Sequence, residues 1–225
     1  MGDVWRGRHL ALGHEAAIKV LKPESARNTE IVQRFAREAR IAAQLRHRHI
    51  ARVEDFGVTP EGVPWLVMEL LHGESLEERI EREVKLDHAT VITVARHVGA
   101  ACDAAHAAGI VHRDLKPSNC FLVREEDGTL QVKVLDFGVA KASDGLKLTG
   151  HGAQLLGTPL YMSPEQTQSP SSIDGRSDLW SLGVMVYELL TGELPFLSES
   201  LPGLLVAIGM GPIKPPTAVN PALPK

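Results

Sequence analysis

Two polar clusters that flank short apolar segments constrain this chain more than any other feature of its sequence. The first is HRDLKPSN at residues 112–119, between a helix predicted over Ala89–Ala108 and the apolar stretch Cys120–Val123. The second is Asp136-Phe137-Gly138, which directly follows another apolar stretch, Gln131–Leu135. A single Asp–Gly pair is usually only a turn. Two clusters of acidic, basic and amide side chains at strand ends are much more specific, and they indicate a site where chemistry is performed.

Up to about residue 71 the hydrophobic pattern predicts strands around one helix. The strands are expected at Ala16–Leu21, Glu54–Gly57 and Pro64–Leu71, which are short apolar runs bounded by turn residues. The helix is expected to start at Thr29, as its N-cap, and to end near Leu45, because apolar residues recur there near the helical period.

From about residue 73 the pattern becomes mainly helical. Gly109 is expected to end the alanine-rich helix as its C′ residue. A hairpin is predicted over residues 120–135, because a Glu-Glu-Asp-Gly-Thr turn separates its two apolar stretches. Further helices are expected at Ser177–Leu190 and at about Ser200–Met210.

These elements predict an α+β chain of two lobes around a cleft. Residues 1–71 would form a small β-rich lobe with one main helix, and residues 72–225 a larger, mostly helical lobe. The Gly-, Ser- and Thr-rich segment 138–164 is too long to be an idle connection in a compact domain.

Charge and cysteine content exclude some classes of protein. A net charge of −4 gives no basic footprint for nucleic acid. Cys102 and Cys120 lie far apart in apolar surroundings, which predicts reduced core thiols in a cytoplasmic protein. Residues 1–20 carry charges throughout, so no signal peptide is predicted. The apolar run Leu179–Leu190 is too short to span a bilayer, so no membrane contact is expected from this chain.

The two polar clusters together resemble those of the eukaryotic-type protein kinases, and the resemblance covers nearly the whole chain. The Met-Ser-Pro-Glu-Gln sequence at residues 162–166 is most similar to the bacterial branch of that family. The resemblance implies a bilobal kinase fold, a Ser/Thr kinase activity and, as partners, ATP, Mg²⁺ and protein substrates. Catalysis of phosphoryl transfer is mainly positioning and charge neutralisation, because the transition state is loose.

The resemblance assigns roles within the two clusters. Asp114 would orient the acceptor hydroxyl and take its proton, and Lys116 would reach the γ-phosphate. Asn119 and Asp136 carry oxygens suited to Mg²⁺. Lys19, in Ala-Ala-Ile-Lys, matches the phosphate-binding lysine of the third kinase strand. A lone strand lysine would otherwise be an exposed edge charge.

Glu38 follows Lys19 on the next predicted helix, where the family places the glutamate that pairs with this lysine. Taken alone, Glu38 would be an ordinary exposed helix acid.

The nucleotide pocket implied by the resemblance has three parts. The residues concerned are Gly2 and Val4 from the end of a glycine-rich loop, Val4, Ala17 and Phe121 around adenine, and Met68 as gatekeeper followed by the hinge Glu69, Leu70 and Leu71.

The segment 138–165 resembles an activation loop. Thr158 matches the threonine that contacts the catalytic Asp and Lys in Ser/Thr kinases, and Arg113 matches the arginine that reads a loop phosphate. Thr149 is the first candidate phosphosite and Ser143 the second. The alternative is that both are simply loop hydroxyls.

One further residue matches the family pattern, and several features of the chain depart from it. Asp178 is expected to accept hydrogen bonds from the backbone near His112, and also to serve as an N-cap or first-turn acid. Ser163 stands where the family usually has Ala. The first strand, the first loop glycines and the last helices are missing, which suggests a fragment of weak stability. Glu165 is expected to lack its usual arginine partner, which is costly for a buried acid.

Two other functions stay open at this point. A non-catalytic, kinase-like ATP-binding or regulatory module would fit the missing pieces, although every catalytic residue that can be checked is present. A small-molecule phosphotransferase of related fold is the third possibility. Thr158 and the Ser-Pro-Glu sequence oppose it, because in the family they shape a platform for a peptide.

Overall fold

The computed structural model describes residues 2–137, 159–168 and 173–224, and only the backbone of residues 34, 38 and 168. The first part is a four-stranded antiparallel sheet in the order β1-β2-β4-β3. Its strands are β1 Gly2–Arg8, β2 Glu15–Leu21, β3 Val53–Val58 and β4 Pro64–Glu69. The expected strand Pro64–Leu71 is therefore too long, because pairing with β2 ends at Glu69.

The main helix beside this sheet is α2, Thr29–Ala42, which follows the short helix α1, Pro23–Ala26. Its N-cap is Asn28, whose side chain accepts from the backbone of Glu30 and Ile31. Thr29 as N-cap was thus wrong by one residue, and the helix ends before Leu45. Its apolar side packs on the sheet and forms a core from Leu21, Phe35, Ala39 and Leu66.

The second part contains most of the helices and a three-stranded sheet in the order β5-β6-β7. Single 3₁₀ turns lie at Pro117–Asn119 and Pro159–Tyr161. The strands and helices are β5 Gly73–Ser75, α3 Leu76–Glu83, α4 His88–Ala107, β6 Cys120–Arg124, β7 Leu130–Val134, α5 Pro164–Gln168, α6 Gly175–Thr191, α7 Leu201–Met210 and α8 Pro216–Val219.

The long helix α4 is the centre of the larger core. It ends as expected at Gly109, whose φ of 72° requires a residue without a Cβ penalty. Its inward residues pack against the β6–β7 hairpin on one side and α6 on the other, as the element contacts show. The fully buried members include Val94, Val98, Cys102, Cys120, Val132, Val134, Met185 and Leu189. The α+β, two-part architecture expected from the sequence is confirmed.

The two parts are joined by hydrogen bonds as well as by the chain. The backbone of Ala51 donates to the carbonyl of Val134 (2.9 Å), and the backbone of Val134 donates to that of His49 (2.9 Å). Beside them, Lys133 Nζ lies 2.7 Å from Glu69 Oε1 at the end of β4. These contacts form a seam between residues 49–51 and β7. Within the described part of the chain, no helix is both long and apolar enough to span a membrane.

Candidate active site

The loop after α4 is held to the end of β7 by one buried histidine. His112 is fully buried, and its Nε2 lies 2.9 Å from the carbonyl oxygen of Leu135, to which it donates. Its ring also packs on that of Phe137, with centroids 4.8 Å apart. The two sequence clusters are therefore in direct contact through His112 and Phe137.

Asp178, in the first turn of α6, fixes the backbone of the same loop. Its Oδ2 accepts from the His112 backbone and its Oδ1 from the Arg113 backbone, both at 2.8 Å. His106 Nε2 lies 2.7 Å from the same carboxylate. The expected bond to the His112 region and the first-turn position are both confirmed. The N-cap role is not, because Asp174 caps α6.

Asp114, Lys116 and Asn119 lie together on the loop that Asp178 anchors. Lys116 Nζ is 3.3 Å from Asp114 Oδ2. Asn119 closes the loop, since its side-chain amide donates to the Asp114 carbonyl at 2.7 Å. The 3₁₀ turn Pro117–Asn119 places Asn119 directly before β6. The loop thus presents a carboxylate, an ammonium group and an amide on one short stretch of backbone.

Lys19 and Asp136 meet across the space between the sheet and the larger part. Lys19 Nζ lies 2.6 Å from Asp136 Oδ2, with the lysine side chain 14% exposed and the aspartate side chain 40% exposed. Asp136 has a φ of 48°, a left-handed conformation that turns the chain directly after β7. Both residues line one cavity with Met68 and Phe137. Lys19, Met68 and Asp136 are therefore brought to a common cleft.

Three other residues expected around a nucleotide lie on β1, β2 and β6. Val4 is the β1 partner of Lys19, and Ala17 is the β2 partner of Met68. Phe121 is half-buried on β6 opposite Ser75 of β5.

At the end of the sheet, Glu69 closes β4, and Leu71 lies on the short link to β5. The side chain of Glu69 accepts from Lys133 and from the Arg52 backbone, so it belongs to the seam between the two parts. Gly2 has a local reason to be glycine, because a Cβ there would lie 2.5 Å from the Val20 carbonyl oxygen.

Several expected site residues lie outside the described residues. Thr149, Ser143 and Thr158 all fall in residues 138–158, and the side chain of Glu38 on α2 is also outside the description. The Lys19–Glu38 pair, the phosphosites and the contact of Thr158 with the catalytic loop therefore stay predictions.

A second cavity opens beside Asp114. It is lined by the loop residues Arg113, Asp114 and Lys116 and, on the other side, by Tyr161, Met162 and Gln166. Tyr161 is fixed there by donating to Glu188 at 2.6 Å. Burial raises the pKa of the Tyr161 hydroxyl, and the neighbouring Glu188 carboxylate raises it further. Its hydroxyl is therefore a hydrogen-bond donor over the whole neutral range.

Glu165, expected to lack its usual arginine partner, accepts a hydrogen bond from the hydroxyl of Ser177. Ser163, fully buried, lies 3.1 Å from the same Ser177 hydroxyl. Burial raises the pKa of the Glu165 carboxyl, but the hydrogen bonds, first that from Ser177, outweigh it and the net shift is downward. The serine that stands in place of the usual alanine is thus part of a hydroxyl chain that supports Glu165.

Sequence reasoning missed three residues that shape the site: His106, Ser177 and Gln166. His106 and Ser177 carry no local signal, because their partners are far away in the sequence. Gln166 does carry one, since Ser163-x-x-Gln166 is the pattern of a helix capping box. Its side-chain nitrogen donates to the Arg113 carbonyl at 2.7 Å.

The available ligands suit a hard cation. The Asp136 carboxylate and the side-chain oxygen of Asn119 are hard donors of the kind that Mg²⁺ prefers. Among residues 2–137, 159–167 and 173–224, the side chain of Glu38 excepted, no group of three or more His, Cys, Asp or Glu side chains is arranged to hold a metal ion. A divalent ion here would therefore need further oxygen ligands, such as those of a bound phosphate.

Comparison with known proteins is consistent with this geometry. The protein kinase domain family matches residues 1–205. The chain is 44% identical to the serine/threonine-protein kinase Pkn1 of Myxococcus xanthus over 223 residues, which is 99% of this chain and 32% of that protein. It is 40% identical to pkn3 of the same organism, over 98% of this chain and 41% of that protein. It is also 39% identical to the serine/threonine-protein kinase PknA of Mycobacterium tuberculosis, over 100% of this chain and 51% of that protein. The chain thus spans between about a third and a half of the length of these curated relatives.

Proposed function

Because the chain belongs to the protein kinase domain family and is similar to bacterial serine/threonine-protein kinases, we propose that it transfers the γ-phosphoryl group of ATP to serine and threonine hydroxyls of proteins. The observation that supports this most directly is the 2.6 Å contact between Lys19 Nζ and Asp136 Oδ2. It puts a cation and a metal-type carboxylate at one cleft, next to the loop that carries Asp114. A phosphate chain with its metal needs both charges at one place.

On the nucleotide side we assign Lys19 to the α- and β-phosphates of ATP, with Glu38 as the residue that orients it. Met68 would limit the depth of the adenine pocket, and the backbone of Glu69 and Leu71 would bond the adenine edge. Val4, Ala17 and Phe121 would supply apolar contacts to the ring, and Gly2 would belong to the loop above the phosphates. The strand pairing of Val4 with Lys19 and of Ala17 with Met68 supports this assignment.

On the acceptor side we assign Asp114 to the protein hydroxyl. Its carboxylate would orient the hydroxyl toward the γ-phosphate and accept its proton as the new P–O bond forms. Lys116 would place its ammonium group beside the transferred phosphoryl, and its 3.3 Å contact with Asp114 supports a shared task. Asn119 would hold the loop closed by its bond to the Asp114 carbonyl while offering its side-chain oxygen to a metal.

We propose Mg²⁺ as the metal, held by Asn119 and Asp136. When bound, Mg²⁺ would neutralise negative charge on the phosphates. The hard oxygen donors of these two side chains favour it over a softer ion. We further propose that residues 1–71 and 72–225 act as two lobes that close on the nucleotide. Consumption of ATP and two free, buried thiols favour the cytoplasm as the place of this activity.

For regulation, we propose that the chain phosphorylates its own segment 138–158 at Thr149 or Ser143. A phosphate there would add nearly two negative charges, and Arg113 would pair with them. Thr158 would contact Asp114 and Lys116 and so favour a peptide substrate over a small molecule.

The test is incubation of the chain with Mg²⁺, γ-labelled ATP and a generic acceptor protein, beside an Asp114→Asn variant. Label on the chain or on the acceptor, lost in the variant, supports the proposal. Nucleotide binding without any transfer would instead identify a non-catalytic ATP-binding module. Label that appears only in a small metabolite would identify a small-molecule phosphotransferase.

A further inference from the structure

Gln166, on the short helix α5, hydrogen-bonds in two directions at once. Its Oε1 accepts from the backbone of Ser163 at 3.0 Å, which caps the start of α5 in the manner of a capping box. Its Nε2 donates to the carbonyl oxygen of Arg113 at 2.7 Å. One neutral amide therefore connects the start of α5 to the loop that carries Asp114.

The bond from Gln166 holds the backbone of Arg113, which has an unfavourable conformation. Arg113 has a φ of 65°, a left-handed conformation that is unfavourable for a residue with a side chain. Its backbone nitrogen is held by Asp178 at 2.8 Å, and its carbonyl is held by Gln166. That carbonyl belongs to the same peptide unit as the backbone nitrogen of Asp114. The Gln166 bond thus holds the peptide plane that immediately precedes Asp114, and the Asp178 bond holds the peptide plane before that one.

The need for both a hydrogen-bond acceptor and a donor explains why residue 166 is a glutamine. A glutamate could also cap α5, since its carboxylate accepts a hydrogen bond from Ser163 equally well. It could not donate to the Arg113 carbonyl, because an ionised carboxylate only accepts. Two oxygens would then face each other at the present donor–acceptor distance. The amide alone serves both partners.

The helix that carries Gln166 is also anchored without it. Glu165 accepts from Ser177, and the Ser163 hydroxyl lies 3.1 Å from that of Ser177, so α5 is tied to α6 by a separate set of contacts. Capping and anchoring of α5 can therefore be separated experimentally from contact with the Asp114 loop.

We propose that Gln166 is a positioning residue for phosphoryl transfer, acting through the Arg113–Asp114 peptide to set the orientation of the Asp114 carboxylate. The kinetic part of this inference rests on the proposed kinase function, whereas the structural part does not.

The test compares Gln166→Glu, which keeps the cap acceptor and loses the donor, with Gln166→Met, which loses both. Thr167→Ala is the matched control, because the Thr167 hydroxyl donates only within α5, to the Pro164 carbonyl at 2.7 Å. Steady-state kinetics give kcat and KM, and hydrogen exchange of the backbone amides of residues 112–114 reports on the loop directly. Thermal denaturation shows that each variant is folded.

Both Gln166 variants are expected to lower kcat about tenfold or more, with the KM for ATP changed less than about twofold, and to speed amide exchange in the loop. Thr167→Ala is expected to change neither. If Gln166→Glu keeps full kcat and normal exchange, glutamine serves only as a cap and the inference is overturned. Should Gln166→Met fail to fold, Gln166→Glu decides alone.

The two proposals fail in different ways. If the unchanged chain transfers no phosphate to any acceptor, the proposed function is wrong and the kinetic part of the inference falls with it. Amide exchange then tests the structural part, which is that Gln166 holds the Asp114 loop. Faster exchange at residues 112–114 in Gln166→Glu supports it, and unchanged exchange overturns it.

Discussion

Lys19 Nζ and Asp136 Oδ2 lie 2.6 Å apart although the two residues are separated by 117 positions in the chain. Lys19 comes from the middle of β2, and Asp136 from the turn after β7, so this contact bridges the two parts of the fold. Each charge compensates the other at a cleft that neither part could form alone. The same two charges are those that a phosphate chain and its metal require.

Replacing Lys19 by Met is expected to lower kcat by at least about 100-fold, as is typical when one preorganised charge is removed from an active site. The reason is loss of the cation that we assign to the phosphates of ATP. The measurement is steady-state transfer from labelled ATP. Lys22→Met is the matched control, because Lys22 lies just beyond β2 and contacts the exposed Asp3 at 3.6 Å. Equal losses in the two variants would argue against a specific role of Lys19.

Replacing Asp114 by Asn is expected to lower kcat by about 10² to 10⁴-fold, the range for loss of a general base. ATP affinity should change little, since Asp114 lines the cavity beside Tyr161 and not the one that contains Lys19. Nucleotide titration and a transfer assay measure the two effects separately. Asp103→Asn, an exposed change on α4, serves as control. A large loss of ATP affinity in Asp114→Asn would contradict this division.

Replacing Asp178 by Ala is expected to lower the free energy of unfolding by about 3–5 kcal/mol, because it leaves two buried backbone donors without an acceptor. The side chain is only 1% exposed, so water cannot replace it. Chemical denaturation measures the change. Asp174→Ala, which removes an exposed N-cap from the same helix, should cost about 1 kcal/mol. Similar costs for the two variants would count against the anchoring role.

Cys102 and Cys120 are expected to resist alkylation in the native protein at pH 8. Burial raises the pKa of the Cys102 thiol to about 12, with smaller contributions from the Asp178 and Asp103 carboxylates. Burial likewise raises the pKa of Cys120. Only the thiolate reacts, so labelling should follow unfolding. Mass spectrometry after iodoacetamide treatment, with and without denaturant, tests this, and rapid labelling of the folded chain would refute it.

Stability is expected to fall as the pH is lowered from about 6.5 to about 4. Burial is the largest cause that lowers the pKa of His49 to about 4; a hydrogen bond to the Val132 carbonyl opposes it, and the nearby His97, Arg48 and His47 add smaller decreases that are included in this value. The unfolded chain therefore binds a proton that the folded chain does not bind in this window, and no further loss arises from His49 below it. The contribution is about 1 to 3 kcal/mol.

The measurement for His49 is chemical denaturation at several pH values. His49→Gln keeps a donor for the Val132 carbonyl, which the histidine nitrogen meets at 3.0 Å, but it does not titrate. This variant should show a shallower pH slope than the unchanged chain. His97 stacks on His49 with ring centroids 3.9 Å apart, and its lowered pKa acts in the same direction, so some slope should remain. Identical slopes would exclude His49 as the source.

The sequence predicted best where a residue has a strong local conformational preference. Gly109 ends α4 as expected because only glycine takes its φ of 72° without strain. The β6–β7 hairpin followed from its turn residues. In contrast, β5 has three residues, too few to show an alternating pattern, and it was missed. The N-cap of α2 was misplaced because Asn28 and Thr29 are both good capping residues, and only the structure distinguishes them.

The residues of the candidate site also differ in how well the sequence predicted them. Asp114, Asn119 and Asp136 stand in short clusters that could be recognised in the sequence. Among their supports, Asp178 was anticipated from the family resemblance, but the contact of His106 with Asp178 was not, because it joins residues far apart in the chain. The start of α6 was also placed too late. Gly175 does not look helical, but a Cβ there would lie 2.7 Å from the His106 ring, so close packing requires glycine.

The seam between residues 49–51 and β7 determines how the cleft can open. The backbone hydrogen bonds at Ala51 and Val134 and the Lys133–Glu69 ion pair attach the sheet at the side of β3 and β4. Because the sheet is attached at this edge, we expect any opening of the cleft to displace β2 more than β4, and β1 more than β2. Admission of a nucleotide would thus move Val4 the most and the backbone of Ala51 the least, with Lys19 travelling an intermediate distance from Asp136.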